Sequence, residues 1–344
     1  MNTLTGLLII AIGSFGQSSS YVPINKVKEW SWESFWLIQG VFAWLVFPLS
    51  GALLGTPEGS SLPELWSAGG AAKAIIYGVL WGVGGLTFGL SMRYLGVALG
   101  QSLSLGTCAA FGTLFPAILA GEDLFTGTGL LLLTGVGITL AGIAIIGYAG
   151  SLRSGNMTEE EKRAAVKEFA LTKGLLVALL AGVMSACFAL GLEAGAPVKE
   201  AASAGGVKSL YAGLPVIFLV TSGGFLTNAA YCILQNIRNR TGKEYFSVKR
   251  NVLANNLSFC ALAGALWYSQ FFGLEMGKSF LAGSPVLLAF SWSILMSLNV
   301  TFSNVWGILL KEWKGVGGLT IAVLTAGLLA LISSVIVVAM AQQA

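Results

Sequence analysis

Apolar residues run in ten long blocks along this chain, and polar residues gather in the gaps between them. The blocks lie near 4–24, 34–55, 71–92, 96–120, 128–149, 174–195, 209–235, 252–273, 284–308 and 316–340. Each reaches the roughly 20 residues that a helix needs to cross the hydrocarbon core of a bilayer. Helix is the assignment that satisfies every backbone hydrogen bond within its own segment in lipid. The pattern therefore predicts an all-α polytopic membrane protein with ten transmembrane helices.

Composition sharpens this. Of the 344 residues 55% are hydrophobic and 10% charged, against about 25% charged in an average soluble domain. No stretch is left for a sizeable domain outside the membrane, so the expected function is one that works across a bilayer. The net charge of +4 reads as a topology signal, and no nucleic-acid partner is expected. The start, Met1-Asn2-Thr3-Leu4, lacks a basic n-region, so the first span is expected to remain in place. Cys108, Cys187, Cys232 and Cys260 fall inside apolar blocks without metal-ligand spacing and read as small core residues. No metal and no cofactor is expected.

Charge placement gives an orientation. The loops after blocks 1, 3, 5, 7 and 9 hold fifteen of the 19 lysines and arginines, among them Lys26, Lys28, Arg93, Arg153, Lys173, Arg238 and Lys311. The loops after blocks 2, 4, 6 and 8 hold only Lys73, Lys199, Lys208 and Lys278. By the positive-inside bias the odd-numbered loops are cytoplasmic and both termini lie outside. In bacteria this means a multi-pass protein of the inner membrane with periplasmic termini.

The longest charged loop divides the chain into residues 1–150, a cytoplasmic linker 151–173, and residues 174–344. Thr158 and Glu161 have the spacing of a capping box, predicting a short linker helix from Thr158 to Ala170. Five spans on each side insert with opposite orientation, the organisation of inverted-repeat transporters. Pro116 and Pro215 are candidate kinks. The many span glycines, Gly82, Gly84 and Gly89 among them, permit close helix packing.

The interior chemistry is neutral. The chain has no histidine, and its spans carry almost no charge, which argues against carriage of phosphorylated substrates. Amides, hydroxyls and aromatic rings recur at helical spacing instead. Gln17 and Tyr21 share a face of span 1 with Ser14 and Ser18. Asn256, Trp267 and Gln270 share a face of span 8, with Tyr268 beside them. Asn228 in span 7 and Trp81 in span 3 add to the set. Amides both give and accept hydrogen bonds, and indole rings offer an apolar face, the combination that holds a neutral sugar. Each serine or threonine is better explained by a helix-to-helix or local backbone hydrogen bond, but a mid-depth amide is costly without a partner. Glu193, Glu275 and Glu33 are the candidates for a proton-carrying group. Trp30, Trp32 and Trp313 read as interfacial belt residues.

Four segments carry a family resemblance. They are Tyr21-Val22-Pro23 with Lys26-Val27-Lys28-Glu29-Trp30-Ser31-Trp32-Glu33, then Met92-Arg93-Tyr94-Leu95-Gly96, then Trp267-Tyr268-Ser269-Gln270-Phe271-Phe272, and Leu310-Lys311-Glu312-Trp313. In this order the chain resembles the bacterial L-rhamnose–proton symporter family of the drug/metabolite transporter superfamily. The resemblance implies inward carriage of L-rhamnose, with L-lyxose and L-mannose as related cargo, driven by protons as the coupling ion. It also implies that Trp81, Asn256, Trp267, Tyr268 and Gln270 face substrate, and that Lys26, Lys28, Glu33, Arg93, Lys311 and Glu312 form the cytoplasmic rim or gate. The histidines of enterobacterial members are absent here. A carrier of another sugar or small neutral metabolite is the alternative within transport. An intramembrane enzyme acting on lipid-linked sugar would need a catalytic acid or metal cluster, and a sensor or scaffold would need a soluble output domain. The sequence offers neither.

Overall fold

The computed structural model describes residues 3–155 and 170–341, so the capping box at Thr158 and Glu161 and most of the linker lie outside the described residues. The chain forms α1 (Thr3–Ser19), α2 (Trp32–Gly40), α3 (Phe47–Leu54), α4 (Leu62–Trp66), α5 (Ala71–Leu95), α6 (Val97–Leu119), α7 (Gly127–Gly155) and α8 (Leu171–Ser185). There follow α9 (Cys187–Ala194), α10 (Ala196–Ala204), α11 (Leu214–Asn239), α12 (Glu244–Ser247), α13 (Arg250–Leu281), α14 (Pro285–Leu309) and α15 (Gly318–Ala341). Among the described residues ten helical stretches are long and apolar enough to cross a membrane, and they coincide with the ten blocks.

Three blocks differ in detail. Block 2 is α2 and α3 joined by a π-helical stretch, Val41–Val46, an insertion that re-aims the side chains after it. Block 6 is broken into α8, α9 and α10. Block 7 starts at Leu214, which puts Pro215 in the first turn of α11, where its missing N–H is harmless, so it does not kink the helix. Pro116 does lie inside α6.

The helices pack as two compact units, and neither follows a half of the chain. One is Leu4–Val83 with Leu190–Ser279; the other is Met1–Thr3, Gly84–Ala189 and Phe280–Ala344. In the first unit α1 lies directly on α13: a Cβ at Gly13 would stand 2.7 Å from the Ser269 carbonyl oxygen and 3.2 Å from the Gln270 Cα. The Ser269 hydroxyl donates to the Gly13 carbonyl at 3.2 Å. The N-terminal part of α5 crosses α11 in the same way, with Gly78 against the Val220 carbonyl and Gly223 against the Ile75 carbonyl. We expect Gly223→Val to lower the melting temperature in detergent, since overpacking costs about 1–3 kcal/mol. Gly137→Ala on α7, which meets nothing within 4 Å, is expected to be neutral, and equal losses in both would reject this crossing as the cause.

The second unit is held by polar rungs as well as apolar packing. Asn304 Nδ2 donates to Ser102 Oγ at 2.6 Å, Ser303 Oγ donates to Gln101 Oε1, and the Thr113 and Ser293 hydroxyls lie 2.6 Å apart. These rungs join α6 to α14. Trp292 adds a bond from its Nε1 to the Cys108 carbonyl at 3.3 Å and stacks on Phe188. Without a hydrophobic drive between helices in lipid, such bonds and close contacts supply the association.

Two helix ends carry left-handed basic residues. Arg240 (φ 58°) follows α11, and Lys311 (φ 62°) follows α14. At the second, Glu312 N–H reaches the Gly307 carbonyl at 2.8 Å and Lys311 N–H the Ile308 carbonyl at 3.0 Å, the double closure of a Schellman turn. A lysine there costs about 1–2 kcal/mol that glycine would avoid, although a cation suits the negative end of the helix.

Candidate substrate site

Three indoles meet in the first unit. Trp44 comes from the π-helical stretch, Trp81 from α5 and Trp267 from α13. Their centroids are 5.9 Å (Trp44–Trp81), 6.0 Å (Trp44–Trp267) and 5.8 Å (Trp81–Trp267) apart. Trp44 stands edge-on to both others, at 85° and 82°, an arrangement aromatic quadrupoles favour. Glycines make the seats: a Cβ at Gly224 would strike the Trp81 ring, and one at Gly40 would come within 2.8 Å of Trp44. Trp36 extends the group, 5.8 Å from Trp44, and Phe271 sits 5.2 Å from Trp267.

Buried polar atoms without a hydrogen-bond partner accompany these rings: Trp44 Nε1, Tyr268 Oη and Gln39 Oε1. Tyr268 Oη lies against Gly51 of α3. Buried polar groups are normally satisfied, and each exception calls for an explanation. An incoming polyol supplies one, because its hydroxyls both donate and accept.

The sequence expectations sort unevenly onto this geometry. Trp81 and Trp267 are brought together in the indole cluster, whereas Tyr268, the next residue along α13, sets its ring 6.2 Å from Phe272 and its hydroxyl against Gly51. Gln270 lies one turn beyond Trp267, buried, with Nε2 donating to the Trp267 carbonyl at 3.1 Å. Gln17 is buried on α1, accepting from the Ser18 hydroxyl at 3.3 Å, while Tyr21 follows the end of α1 and is half-buried. Asn228 serves as framework: it donates to the Gly82 and Gly224 carbonyls at 3.1 and 2.9 Å and accepts from Trp36 Nε1 at 2.9 Å. Asn256 grips the backbone of Lys28 on both sides, accepting from its N–H at 3.0 Å and donating to its carbonyl at 2.7 Å. Trp36, Gln39 and Trp44 are the residues that sequence reasoning missed.

Of the acids, Glu275 is 5% exposed and paired with Lys199 Nζ at 2.6 Å. Lys278 lies within electrostatic reach of Glu275, Lys199 and Glu193, so two carboxylates and two ammonium groups form one cluster. Glu193 is exposed. Glu33 is buried at the start of α2, accepting from Asn239 Nδ2 and Thr241 Oγ1, both at 2.9 Å. A polar tie surrounds it. Ser34 Oγ donates to Asn236 Oδ1 at 3.0 Å, Thr241 Oγ1 lies 2.9 Å from the same oxygen, and Asn236 Nδ2 donates to Tyr245 Oη at 3.0 Å. Burial pushes the Tyr245 phenol up from its ordinary value. In the loop between α6 and α7, bonds from the Phe125 N–H and the Thr126 hydroxyl hold the Asp123 carboxyl below its ordinary value.

Lys26, Lys28, Arg93 and Lys311 are exposed, and Glu312 is half-buried. Of the expected belt residues, Trp32 is 43% exposed, and Trp30 donates to the Glu244 carbonyl at 3.0 Å. Trp313 departs from the expectation: it is 5% exposed, because the turn at Lys311 folds it beneath Arg153, whose guanidinium sits 5.2 Å from its ring centroid. A groove of about 370 Å³ beside α1 and α13 is lined by Ile9, Ile12, Tyr268, Ser269, Phe272 and Met276 among others, a largely apolar surface to which Tyr268 and Ser269 add hydroxyls. Among the described residues no cluster of His, Cys, Asp or Glu could hold a metal ion.

Comparison with known proteins agrees with this chemistry. The model of the family described as L-rhamnose-proton symport protein (RhaT) matches residues 1–344. The L-rhamnose-proton symporters of Yersinia pestis (strain Pestoides F) and Yersinia pseudotuberculosis serotype O:1b (strain IP 31758) are each 35% identical over 334 residues, 96% of this chain and 95% of the relative. A match over the whole chain, on a ten-span helical fold with a neutral aromatic and amide interior, establishes that the chain belongs to the L-rhamnose–proton symport protein family.

Proposed function

We propose that this protein moves L-rhamnose into the cell together with protons. It belongs to a symporter family and is not an enzyme. The observation that carries the site is the Trp44–Trp81–Trp267 cluster with its unsatisfied Trp44 Nε1, and the unsatisfied Tyr268 Oη on the neighbouring residue of α13 adds to it. The sugar's C–H face stacks on an indole, and its hydroxyls meet the unsatisfied groups and the Gln270 and Gln17 amides. Asn228 and Asn256 act one layer out, fixing Trp36 and the Lys28 backbone. L-Lyxose and L-mannose are further cargo on the strength of the family resemblance.

Glu275 is the group we assign to the proton. It is buried, and its partner Lys199 can be released when the carboxylate is neutralised. Glu33 is held at a helix start by the Asn239 amide and the Thr241 hydroxyl, which suits a fixed charge in the cytoplasmic rim with Lys26, Lys28, Arg93, Lys311 and Glu312. The protein sits in the inner membrane with both termini periplasmic, on the strength of loop charge. The two five-span halves, 1–150 and 174–344, are inverted repeats about the linker 151–173, on the strength of the odd span count. Coupling requires that the loaded carrier cross more readily than a half-loaded one.

Uptake of labelled L-rhamnose into proteoliposomes in sodium-free buffer tests the reading. An acid-outside gradient is expected to drive accumulation above equilibrium, and a protonophore to collapse it. Entry that only equilibrates would remove proton coupling, and no entry by protein active on another substrate would remove rhamnose.

A further inference from the structure

The turn after α14 holds a feature that sugar transport does not use. Arg153, in the last turn of α7, is 3% exposed, and Trp313 beneath it is 5% exposed. The guanidinium lies 5.2 Å from the indole centroid, so the ring face answers part of the cation's charge. Two of the three guanidinium nitrogens are unanswered. Arg153 Nε, Arg153 Nη1 and Trp313 Nε1 are all buried without a hydrogen-bond partner. Three buried donors around one permanent cation form a costly arrangement unless an anion completes it.

The backbone is committed to this arrangement. Lys311 adopts a left-handed conformation, φ 62°, and the turn it closes carries Trp313 inward. Glu312 acts on Arg153 electrostatically, yet the three donors remain without an acceptor. Lys311 and Lys314 are exposed on the same turn, which raises the local positive potential. The site lies at the ends of segments whose flanking loops hold most of the lysine and arginine, the side where anionic lipid headgroups collect.

We propose that Arg153 and Trp313 form a binding site for a phosphate group, the diester of a phospholipid headgroup or free inorganic phosphate. The oxygens accept from guanidinium and indole N–H in a charge-assisted contact, with Lys311 and Lys314 at its rim. This site is separate from the sugar site and independent of the transport reading.

Native mass spectrometry of the full-length protein in detergent tests it, using dioleoylphosphatidylglycerol against dioleoylglycerol, which has the same chains and no phosphate. A one-to-one adduct with the phospholipid is expected under conditions that strip dioleoylglycerol. Trp313→Phe keeps the ring and loses one donor, and is expected to weaken the adduct about tenfold. Arg153→Gln is expected to abolish it, and Glu312→Gln to strengthen it. Millimolar inorganic phosphate distinguishes the sources. Displacement of the lipid together with a raised melting temperature in its absence identifies a soluble-phosphate site; retention of the lipid identifies a headgroup site. Equal binding of both lipids, or unchanged phospholipid binding in folded Trp313→Phe and Glu312→Gln proteins, would overturn the proposal.

Discussion

Glu275→Gln is expected to leave rhamnose exchange intact and to abolish its accumulation against a gradient. The carboxylate is buried and ion-paired with Lys199 at 2.6 Å, with Lys278 and Glu193 completing the cluster. Glutamine preserves the volume and a hydrogen bond to the lysine but cannot alternate between charged and neutral. The variant is thus held in the electrical state of the protonated carrier. For a one-to-one symporter, a gradient of one pH unit supplies about 1.4 kcal/mol and so about tenfold accumulation. In Glu275→Gln vesicles that ratio is expected to fall to unity, while counterflow of labelled against unlabelled rhamnose continues. Full accumulation would clear Glu275 of the role and transfer the question to Glu193 and Glu33. Loss of counterflow as well would mark the cluster as structural.

Tyr268→Phe is expected to move stability and affinity in opposite directions. In the empty protein the phenol oxygen is buried and has no partner, so it contributes an unmet desolvation cost to the fold. Removing it is expected to stabilise the protein by about 1 kcal/mol, read as a higher melting temperature without sugar. If that hydroxyl receives a rhamnose hydroxyl, the same change weakens binding about tenfold, read by titration calorimetry. The melting-temperature increment produced by saturating rhamnose should shrink accordingly. A variant that binds as tightly as the parent would remove Tyr268 from the site, whatever its stability.

The ten spans were legible because apolar runs of this length have few alternatives, and the alternation of lysine and arginine between loops needs no structure to read. Trp267 and Tyr268 stood out because they share span 8 with Asn256 and Gln270, and Trp81 because it matches the pattern of the family the chain resembles. Trp44 did not, because an aromatic residue in a wholly apolar stretch reads as lipid-facing or core. The π-helical stretch Val41–Val46 breaks the 3.6-residue phase that a helical-face argument depends on. Asn256 was recognised as an expensive amide, but its partner is the backbone of Lys28, 228 positions away, and no side-chain pattern announces a backbone ligand. Glu275 was singled out as a carboxylate near the outer end of span 8, and although Gly195 and Pro197 mark the start of the helix that carries Lys199, no pattern in the sequence announces that the two side chains pair. The inward fold of Trp313 was hidden because Lys311 occupies a left-handed position where the rule looks for glycine.

The make-up of the cluster around Glu275 has an electrical consequence. Two lysines and two glutamates sum to zero, so with Glu275 charged the cluster carries no net charge. If Glu275 takes the proton, as proposed above, the cluster then carries one positive charge, and L-rhamnose, being neutral, adds none. The loaded carrier therefore moves charge inward and the empty one returns without it, which makes the cycle electrogenic. An interior-negative membrane potential then works on the loaded step directly, at about 2.3 kcal/mol per 100 mV for a charge crossing the full field. A cell in neutral surroundings, with no pH difference to exploit, can concentrate the sugar on voltage alone.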